Sequence, residues 1–342
     1  MYLCTYDIWI RNQTMTNFSF KSPNVTIFGG TGFLGRYIVN RLSKLGYIIN
    51  IVTRAPNEAI FLKTSGNVGQ VKFIEGSFSN LSNLKSLFNT SDIIINCVGI
   101  LNEEGDQTFK KLHTDIPEKL AILAKKNGVK KFIHISSIGA NPKSDSKYSK
   151  SKGIAELKIL KAFPEAIILR PSIVFGSEDQ FFNLFSQISC ISPILPIVGG
   201  KTKFQPVYVD DIAKMVAGVL QMKAPNLKKN YTIYELGGPE IISFHSLMVK
   251  MLSIIYRKKL IINLPFWLAK AMCPIILILY KLSFKKIPLL ITEDSIKQLK
   301  NDNIVSKEYL SFQDLEIKPK SLDLILPSYL KRYRPRGNFS DL

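Results

Sequence analysis

The chain has 342 residues, of which 46% are hydrophobic, so it is long and apolar enough for one large globular domain or two modest ones. Its formal net charge is +20, but the basic residues are spread along the chain and no nucleic-acid-binding motif accompanies them. Nucleic-acid binding is therefore disfavoured, and an anionic membrane surface or an acidic partner fits the charge better. The four cysteines and three histidines lack the spacing of metal ligands, which disfavours both a metal site and a disulfide framework.

Residues 1–22 are predicted to form a flexible N-terminal extension. They have neither the basic and apolar regions of a secretory signal nor the arginine- and serine-rich composition of a transit peptide, so secretion is not indicated. Met15 lies close before the first predicted strand, and a disordered extension and a different start site both remain open as explanations.

Residues 23–176 alternate short apolar runs with helical patterns. Strands are predicted at residues 25–28, 48–53, 71–74, 93–98, 132–135 and 166–169, and helices at residues 34–45, 117–127 and 148–163. The strands are short and almost entirely apolar, as strands buried on both faces should be. This alternation predicts an α/β fold with a doubly wound parallel sheet, the Rossmann architecture of a dinucleotide-binding domain.

A glycine-rich turn joins the first strand to the first helix. Gly29, Gly32 and Gly35 form a GxxGxxG pattern, in which the first glycine permits a tight turn, the second lets backbone approach a pyrophosphate, and the third lets helix and strand pack closely. Free N–H groups at the helix N-terminus would then face the phosphates. The predicted cofactor contacts in this turn are Gly29, Thr31, Gly32, Phe33, Leu34, Gly35 and Arg36.

The end of the second strand indicates which dinucleotide is preferred. An acidic residue there would accept a hydrogen bond from the ribose 2′-hydroxyl of NAD, whereas this chain has Arg54 and no acid. We therefore predict that the cofactor is NADPH (NADP) rather than NAD, with Arg54 contacting the 2′-phosphate and Arg36 assisting. An ordinary solvated arginine is the alternative interpretation of Arg54.

Small residues follow two later strands, at Val98-Gly99 and at Ser136-Ser137. The carboxyl ends of parallel strands share one edge of the sheet, where ligands bind in this architecture. Val98, Gly99 and Ser136, together with Pro171 after the next predicted strand, are therefore predicted to contact the cofactor.

Tyr148 and Lys152 follow the Ser-Ser strand end and are four residues apart, so they share one face of a helix. The ammonium would lower the tyrosine pKa and hold the nicotinamide ribose, while Ser137, or alternatively Ser136, would orient a substrate. These residues are the predicted catalytic set for a proton-coupled hydride transfer. A chance YxxxK pattern in a lysine-rich stretch is the alternative.

Residues 177–342 are predicted to form a smaller, mostly helical C-terminal lobe that binds a substrate or partner and returns some elements to the Rossmann sheet. A helix is predicted to begin at Asp210 or Asp211, and a strand is predicted near residues 231–236.

The segment from Leu260 to Ile291 is the most apolar part of this lobe. Pro265, Lys270 and Pro274 interrupt it, so a membrane-spanning helix is not predicted. Two interpretations remain: a buried helix hairpin, or an apolar patch rimmed by Lys281, Lys285 and Lys286 that contacts a membrane surface or a partner.

The glycine turn, the Ser-Ser strand end and the Tyr148/Lys152 pair together resemble the extended or atypical short-chain dehydrogenase/reductase superfamily. Two blocks, FPEAIILRPSIVFGSED at 163–179 and QPVYVDD at 205–211, narrow this resemblance to the NADPH-binding accessory subunit family of respiratory complex I. The resemblance continues through ITEDS at 291–295 and through residues 302–330, and covers residues 24–339. Two positions depart from the superfamily pattern: Ser77 replaces an aspartate near the adenine, and His113 replaces a catalytic asparagine, which weakens a proton relay.

The resemblance implies an accessory or assembly protein of NADH:quinone oxidoreductase that holds NADPH mainly as a structural ligand. Its expected partners are complex I subunits or assembly intermediates. Its expected location is peripheral to the inner membrane, on the matrix side in mitochondria or the cytoplasmic side in bacteria. The alternative is an NADP-dependent oxidoreductase or epimerase that uses Tyr148, Lys152 and Ser137 on a carbonyl, nucleotide-sugar or quinone-like substrate.

Overall fold

The computed structural model describes residues 22–77, 84–222, 233–282 and 291–337. Residues 1–21 of the predicted N-terminal extension lie outside this part of the chain, as do Lys285 and Lys286 of the predicted basic rim. The strands, in chain order, are β1 (Asn24–Phe28), β2 (Ile48–Thr53), β3 (Val71–Glu75), β4 (Ile93–Asn96), β5 (Lys131–Ile135), β6 (Ile167–Pro171), β7 (Val174–Phe175), β8 (Ile194–Val198), β9 (Lys203–Phe204), β10 (Val207–Tyr208), β11 (Ile233–Leu236), β12 (Ile242–Ser243) and β13 (Leu260–Leu264).

Helices connect most of these strands. They are α1 (Phe33–Lys44), α2 (Lys85–Thr90), α3 (Ile116–Lys126), α4 (Lys147–Ala162), α5 (Phe182–Ile191), α6 (Val209–Gln221), α7 (Phe244–Ile254), α8 (Phe266–Leu282), α9 (Glu293–Gln298) and α10 (Leu322–Leu330). The described residues also include 3₁₀ segments at Pro56–Ser65, Phe312–Leu315 and Lys331–Tyr333 and a π-helical turn at Lys110–Asp115.

Seven parallel strands form the central sheet, in the order β11-β6-β5-β4-β1-β2-β3. Strand β1 pairs with β2 on one side and with β4 on the other, so the strand order reverses direction beside β1. In doubly wound sheets, ligands bind outside the carboxyl ends of the strands at such a switch point. The predicted doubly wound parallel sheet is therefore confirmed.

The alternation of side chains along each strand divides the core into two layers. Ile27 and Ile51 face α1 and α6 on one side of the sheet, in a cluster with Ile38 and Val216. On the other side, strand residues such as Phe28, Ile94 and Phe132 pack against α2, α3 and α4. Within the described residues both faces of the sheet are thus covered, which leaves the strand ends accessible to a ligand.

The predicted elements of the first part of the chain are confirmed with small shifts at their ends. Strand β4 ends at Asn96, two residues before the predicted end, and β6 continues to Pro171. Helix α6 begins at Val209, one residue before Asp210 and two before Asp211, the two predicted starts. Strand β11 pairs in parallel with β6, so an element from the later part of the chain completes the main sheet. The domain boundary between residues 176 and 177 stays a prediction.

The later part of the chain has a core of its own, in which Phe182, Phe244 and Leu326 of α5, α7 and α10 are buried together. The helical prediction did not include two strand pairs within this part, β8 with β13 and β9 with β12, or the pairing of β10 with β7, which lies before residue 177. Two of these pairs have only two residues per strand, which is too short for a readable alternation pattern.

The apolar segment that begins at Leu260 starts with a strand, β13, and continues as α8. Several large apolar side chains remain exposed on it, among them Trp267 at 72% and Ile275 at 60% of their full accessible area. The buried-hairpin interpretation is therefore wrong for the described residues. No helix in the described part of the chain is both long and apolar enough to cross a membrane.

Candidate functional site

The glycine turn between β1 and α1 is shaped by close backbone approaches. Gly29 has φ +76°, and a Cβ there would lie 3.0 Å from the carbonyl group of Cys97. A Cβ at Gly35 would lie 2.2 Å from the Gly29 carbonyl oxygen, so only glycine fits. A Cβ at Gly32 would have that same oxygen, at 3.3 Å, as its one neighbour within 4 Å. The turn is therefore tightly packed at both ends and open in the middle, where a pyrophosphate needs access to backbone.

A cleft of about 500 Å³ opens over this turn. The predicted cofactor residues that line it are Gly29, Thr31, Gly32, Arg36, Arg54, Val98 and Gly99. Its other walls, which the sequence reasoning did not assign, are Val52, Thr53, Ala55, Glu58, Ala59, Phe61, Gly76, Cys97, Ile100, Gln107 and Leu112. The residues at the ends of β2 and β4 could have been predicted, because ligands bind at the carboxyl ends of parallel strands. The residues of the 3₁₀ segment after β2 could not, because nothing in their local sequence indicates a ligand.

The remaining predicted cofactor residues of the turn and of β6 lie outside the walls of this cleft. Phe33 packs near Gly176, where an added Cβ would lie 3.2 Å from the ring, and Leu34 packs against the core. Pro171 ends β6, and its carbonyl accepts a hydrogen bond from Ile138 N at 3.0 Å. Backbone N–H groups at the start of α1 remain the means by which Phe33 and Leu34 would contact an anion.

Two arginines make one end of the cleft positive. Arg54 is exposed, and its side chain makes no hydrogen bond or ion pair within the described residues. The Arg36 guanidinium is more restrained: it donates to the Thr31 carbonyl at 3.4 Å, lies 3.8 Å from a Glu178 oxygen and stacks 5.3 Å from the centre of the Phe61 ring. Arg54 is therefore the cation at this end that is available to a ligand phosphate.

Ser137, Tyr148 and Lys152 come together beside the ends of β5 and β6. Lys152 is only 4% exposed, and its Nζ donates to the Ile135 carbonyl at 3.2 Å and lies 6.0 Å from the centre of the Tyr148 ring. Burial lowers the pKa of Lys152 to about 8, with Glu156 opposing the shift. Burial also raises the pKa of Tyr148, with Ser137 opposing. The predicted set is thus assembled, but its surroundings favour the neutral phenol.

His113 packs against this set from the π-helical turn. Its ring is stacked on Phe109 and meets the Tyr148 ring edge-on at 5.3 Å between centres. Nε2 accepts from Ile100 N at 3.0 Å, which places the proton on Nδ1, 3.0 Å from Ser151 Oγ. Burial and the Lys152 charge lower the pKa of His113 to about 2. The imidazole is therefore neutral and holds Tyr148 in place through packing.

Ser136 takes part in a buried ion-pair network. Its hydroxyl donates to the Glu156 carboxylate, which also accepts from Arg170 Nε at 3.0 Å and Arg170 Nη2 at 2.6 Å. Arg170 Nη1 donates to Glu235 at 3.2 Å, so the network joins α4, β6 and β11. The structure therefore separates the two adjacent serines: Ser136 binds Glu156, and Ser137 lies near Tyr148. A cofactor contact by Ser136 stays a prediction.

The family model described as the NAD dependent epimerase/dehydratase family matches residues 25–237. The chain belongs to this family. Members of the family bind a nicotinamide dinucleotide, and the matched residues contain the glycine turn, the cleft and the Ser137/Tyr148/Lys152 set.

Several relatives that match about nine-tenths of the chain are NADH dehydrogenase or NADH-ubiquinone oxidoreductase subunits. The chain is 35% identical to NADH dehydrogenase [ubiquinone] 1 alpha subcomplex subunit 9, mitochondrial, of Arabidopsis thaliana over 91% of this chain and 78% of that protein. It is 30% identical to the NADH-ubiquinone oxidoreductase 40 kDa subunit, mitochondrial, of Neurospora crassa over 96% and 84% of the two chains. Among solved structures, UDP-glucose 4-epimerase of Thermotoga maritima shares the fold, with a TM-score of 0.62 at 16% identity over 91% of this chain and 98% of that one.

The residues at the cleft fit a dinucleotide. The open middle of the glycine turn provides backbone N–H groups at the N-terminus of α1, which favour a pyrophosphate. One polar atom of a predicted site residue, Arg36 Nε, is buried and has no hydrogen-bond partner among the described residues. Such an atom costs about 1–3 kcal/mol when it stays unpaired. A polar ligand in this region would therefore satisfy a group that the chain itself leaves unsatisfied.

Proposed function

We propose that this chain is an accessory or assembly protein of NADH:quinone oxidoreductase that holds NADPH mainly as a structural ligand. The observation that carries the proposal is the 30–35% identity to complex I subunits over more than nine-tenths of the chain, in a molecule whose nucleotide cleft is intact. Its partners are complex I subunits or assembly intermediates.

The choice of NADPH over NAD is supported by the residues at the end of β2. Arg54 lines the cleft, is exposed and has its guanidinium free of protein partners within the described residues. Glu58 also lines the cleft, but it comes from the following 3₁₀ segment and not from the strand end, where an acid would bind a ribose 2′-hydroxyl. A charge-assisted contact to a 2′-phosphate is worth about 1.5–3 kcal/mol.

A structural role for the nucleotide is supported by the surroundings of Tyr148 and Lys152. Bound NADPH supplies hydride chemistry, but a proton relay also needs a tyrosine whose pKa is lowered by a charged lysine. Burial here shifts the pKa of Tyr148 upward and the pKa of Lys152 downward. Lys152 donates to a backbone carbonyl and lies 6.0 Å from the centre of the Tyr148 ring, a placement that suits orienting a ribose.

The docking face of the chain is proposed to be the outer side of α8, and its occupant an anionic membrane surface. A cleft of about 600 Å³ lies between α8 and α9, with Phe266, Trp267 and Ile296 among its apolar lining. Three exposed lysines, Lys270, Lys297 and Lys300, surround it against a single acid, Glu293. Exposed apolar side chains beside cations are suited to anionic headgroups. The chain would then lie on the matrix side of the mitochondrial inner membrane or the cytoplasmic side of a bacterial one.

Membrane contact is testable by sedimentation with vesicles. The full chain is expected to sediment with phosphatidylcholine vesicles that contain phosphatidylserine, and much less with phosphatidylcholine alone. Trp267→Ala is expected to reduce binding, whereas Leu157→Ala, which removes an apolar side chain of α4 that is 59% exposed against 72% for Trp267, is expected to leave it unchanged. Equal reductions by the two variants would contradict the assignment of the α8 face.

The experiment that tests the accessory role is native gel electrophoresis of gently solubilised membranes from the source cells. The chain is expected to migrate with NADH:quinone oxidoreductase activity or with a smaller subcomplex of it. Migration of the whole population at the mass of a free monomer or small oligomer would contradict this role.

A second candidate function is an NADP-dependent oxidoreductase or epimerase acting on a carbonyl, nucleotide-sugar or quinone-like substrate. The observation that favours it is the assembly of Ser137, Tyr148 and Lys152 at one place near the cleft. Tyr148→Phe distinguishes the two functions: an enzyme would lose turnover, whereas an accessory protein would keep both NADPH and its place in the complex.

A further inference from the structure

One segment of the later part of the chain contacts both the elements that carry the predicted nucleotide site and the helix α8 of the proposed docking face. Residues 292–306, which we call the strap, contain most of the ITEDS block and the start of the block at 302–330. Thr292 and Ser295 exchange hydrogen bonds in a capping box that begins α9. Asp294 lies between them, and its carboxylate is directed mainly to α4, with one longer bond, at 3.3 Å, from Gln298 of its own helix.

Asp294 caps the helix that carries Tyr148 and Lys152. One carboxylate oxygen accepts from Lys147 N at 2.6 Å, and the other accepts from Tyr148 N at 3.1 Å and from Ser146 Oγ at 2.9 Å. N–H groups in the first turn of a helix have no partner within the helix, and a negative charge is stabilising there. The backbone of Tyr148 is thus held directly by a side chain 146 positions away in sequence.

The rest of the strap holds the strand ends beside Ser137. The Asn303 amide accepts from Ser172 Oγ at 2.6 Å and donates to the Ile138 carbonyl at 3.5 Å. Farther along, Ser306 N donates to Glu235 at 2.8 Å, and Glu235 is the second carboxylate of the Arg170 network. The strap therefore contacts both α4 and the strand ends that surround the predicted site.

The other side of the strap faces α8. Ile296 of α9 is 4% exposed and packs with Ala269 and Cys273 of α8 in a small core of their own. Ile296 also lines the cleft between α8 and α9 that forms part of the proposed docking face. Helix α9 therefore lies between the first turn of α4 and the exposed apolar surface.

We propose that Asp294 is a positioning residue of the nucleotide site and that the strap links NADPH binding to the order of α9 beneath the docking face. This inference rests on the proposed NADPH-holding function. If NADPH binds only when the first turn of α4 is ordered, its binding also stabilises Asp294 and α9, which cap that turn. The linkage is reciprocal, so contacts that fix α9 at the docking face raise the affinity for NADPH by the same factor.

The test is hydrogen–deuterium exchange of the full chain with and without NADPH, with nucleotide binding measured in parallel by fluorescence. In the wild-type chain, NADPH is expected to slow exchange at Ile296 and Leu299, whose amides bond to Thr292 and Ser295. Asp294→Ala is expected to remove this protection and to weaken NADPH binding by about 5- to 30-fold. Asp294→Asn, which keeps one acceptor oxygen, is expected to lie between the two.

Glu308→Gln is the matched control, because it removes one negative charge from an exposed position close to the strap without touching α4. It is expected to behave as the wild type in both measurements. NADPH binding without a change in exchange at α9 in the wild-type chain would overturn the linkage and leave the proposed function intact. Failure of the wild-type chain to bind NADPH would overturn the proposed function and this inference with it.

Discussion

Gly32→Ala is expected to separate nucleotide binding from folding. The residue has φ −72° and ψ 174°, which alanine adopts without strain, and an added Cβ would meet only the Gly29 carbonyl oxygen, at 3.3 Å. Alanine is a poorer N-cap than glycine, which destabilises the folded chain by a few tenths of a kcal/mol or more. Alanine also makes the unfolded chain less flexible, which stabilises the folded state by about 0.4–1 kcal/mol. The free energy of unfolding should therefore change by less than about 1 kcal/mol.

The same methyl group would point into the cleft, where a pyrophosphate needs close access to backbone. Losing one hydrogen bond to a charged group costs about 1.5–3 kcal/mol, so NADPH affinity should fall about 10- to 100-fold. Calorimetric titration measures the affinity, and thermal unfolding without nucleotide checks the fold. Gly35→Ala is the contrasting variant: its Cβ would lie 2.2 Å from the Gly29 oxygen, and overpacking of this kind costs about 1–3 kcal/mol of stability. Wild-type affinity in Gly32→Ala would refute the assignment of the turn to the pyrophosphate.

Arg54→Ala should weaken NADPH binding about 10- to 100-fold and NADH binding far less. Lys44→Ala is the control for a general loss of positive charge. Equal losses of affinity for the two cofactors would contradict the 2′-phosphate contact. Glu156→Gln should lower the free energy of unfolding, measured in urea, by about 3 kcal/mol, because Arg170 then stays buried with only one carboxylate partner. Glu165→Gln is the control: it breaks an exposed ion pair and should cost under about 1 kcal/mol. Burial lowers the pKa of Lys152 to about 8, so between pH 8 and 10.5 the unfolded chain binds more protons than the folded chain. The free energy of unfolding should therefore rise by up to about 3 kcal/mol across this range. Lys152→Met should lack this rise, and an identical pH profile in the two proteins would argue that Lys152 is not desolvated.

The parts of the fold that local patterns encode were predictable. The turn from β1 into α1 needs three glycines at fixed spacing, and the short apolar strands have the composition of strands buried on two faces. The same patterns could not tell Ser136 from Ser137. Successive strand residues point to opposite faces, and the exact end of β5 decides which serine meets Glu156 and which meets Tyr148.

Long-range contacts and surface exposure were not predictable in this way. The hydrogen bond between Tyr148 and Asp294 joins residues 146 positions apart, and the bond between Arg170 and Glu235 joins residues 65 positions apart. The sequence around each of these residues does not indicate its partner. The segment from Leu260 onward shows why exposure is difficult to predict. Its apolar residues surround the helix instead of forming one stripe, so the pattern does not say which side is covered.

The buried polar groups of the site give a physical reason for the proposed structural role of the nucleotide. Arg36 Nε is buried without a partner among the described residues, and Lys152 is buried with its pKa lowered to about 8, so the site lowers the stability of the chain that contains it. A ligand that binds only the folded chain adds about 2.7 kcal/mol of stability at a concentration 100 times its dissociation constant. That gain offsets the cost of these groups without any reaction taking place. NADPH should therefore raise the unfolding temperature of the wild-type chain more than that of Gly32→Ala, and equal shifts in the two proteins would show that the nucleotide stabilises the chain from somewhere other than this turn.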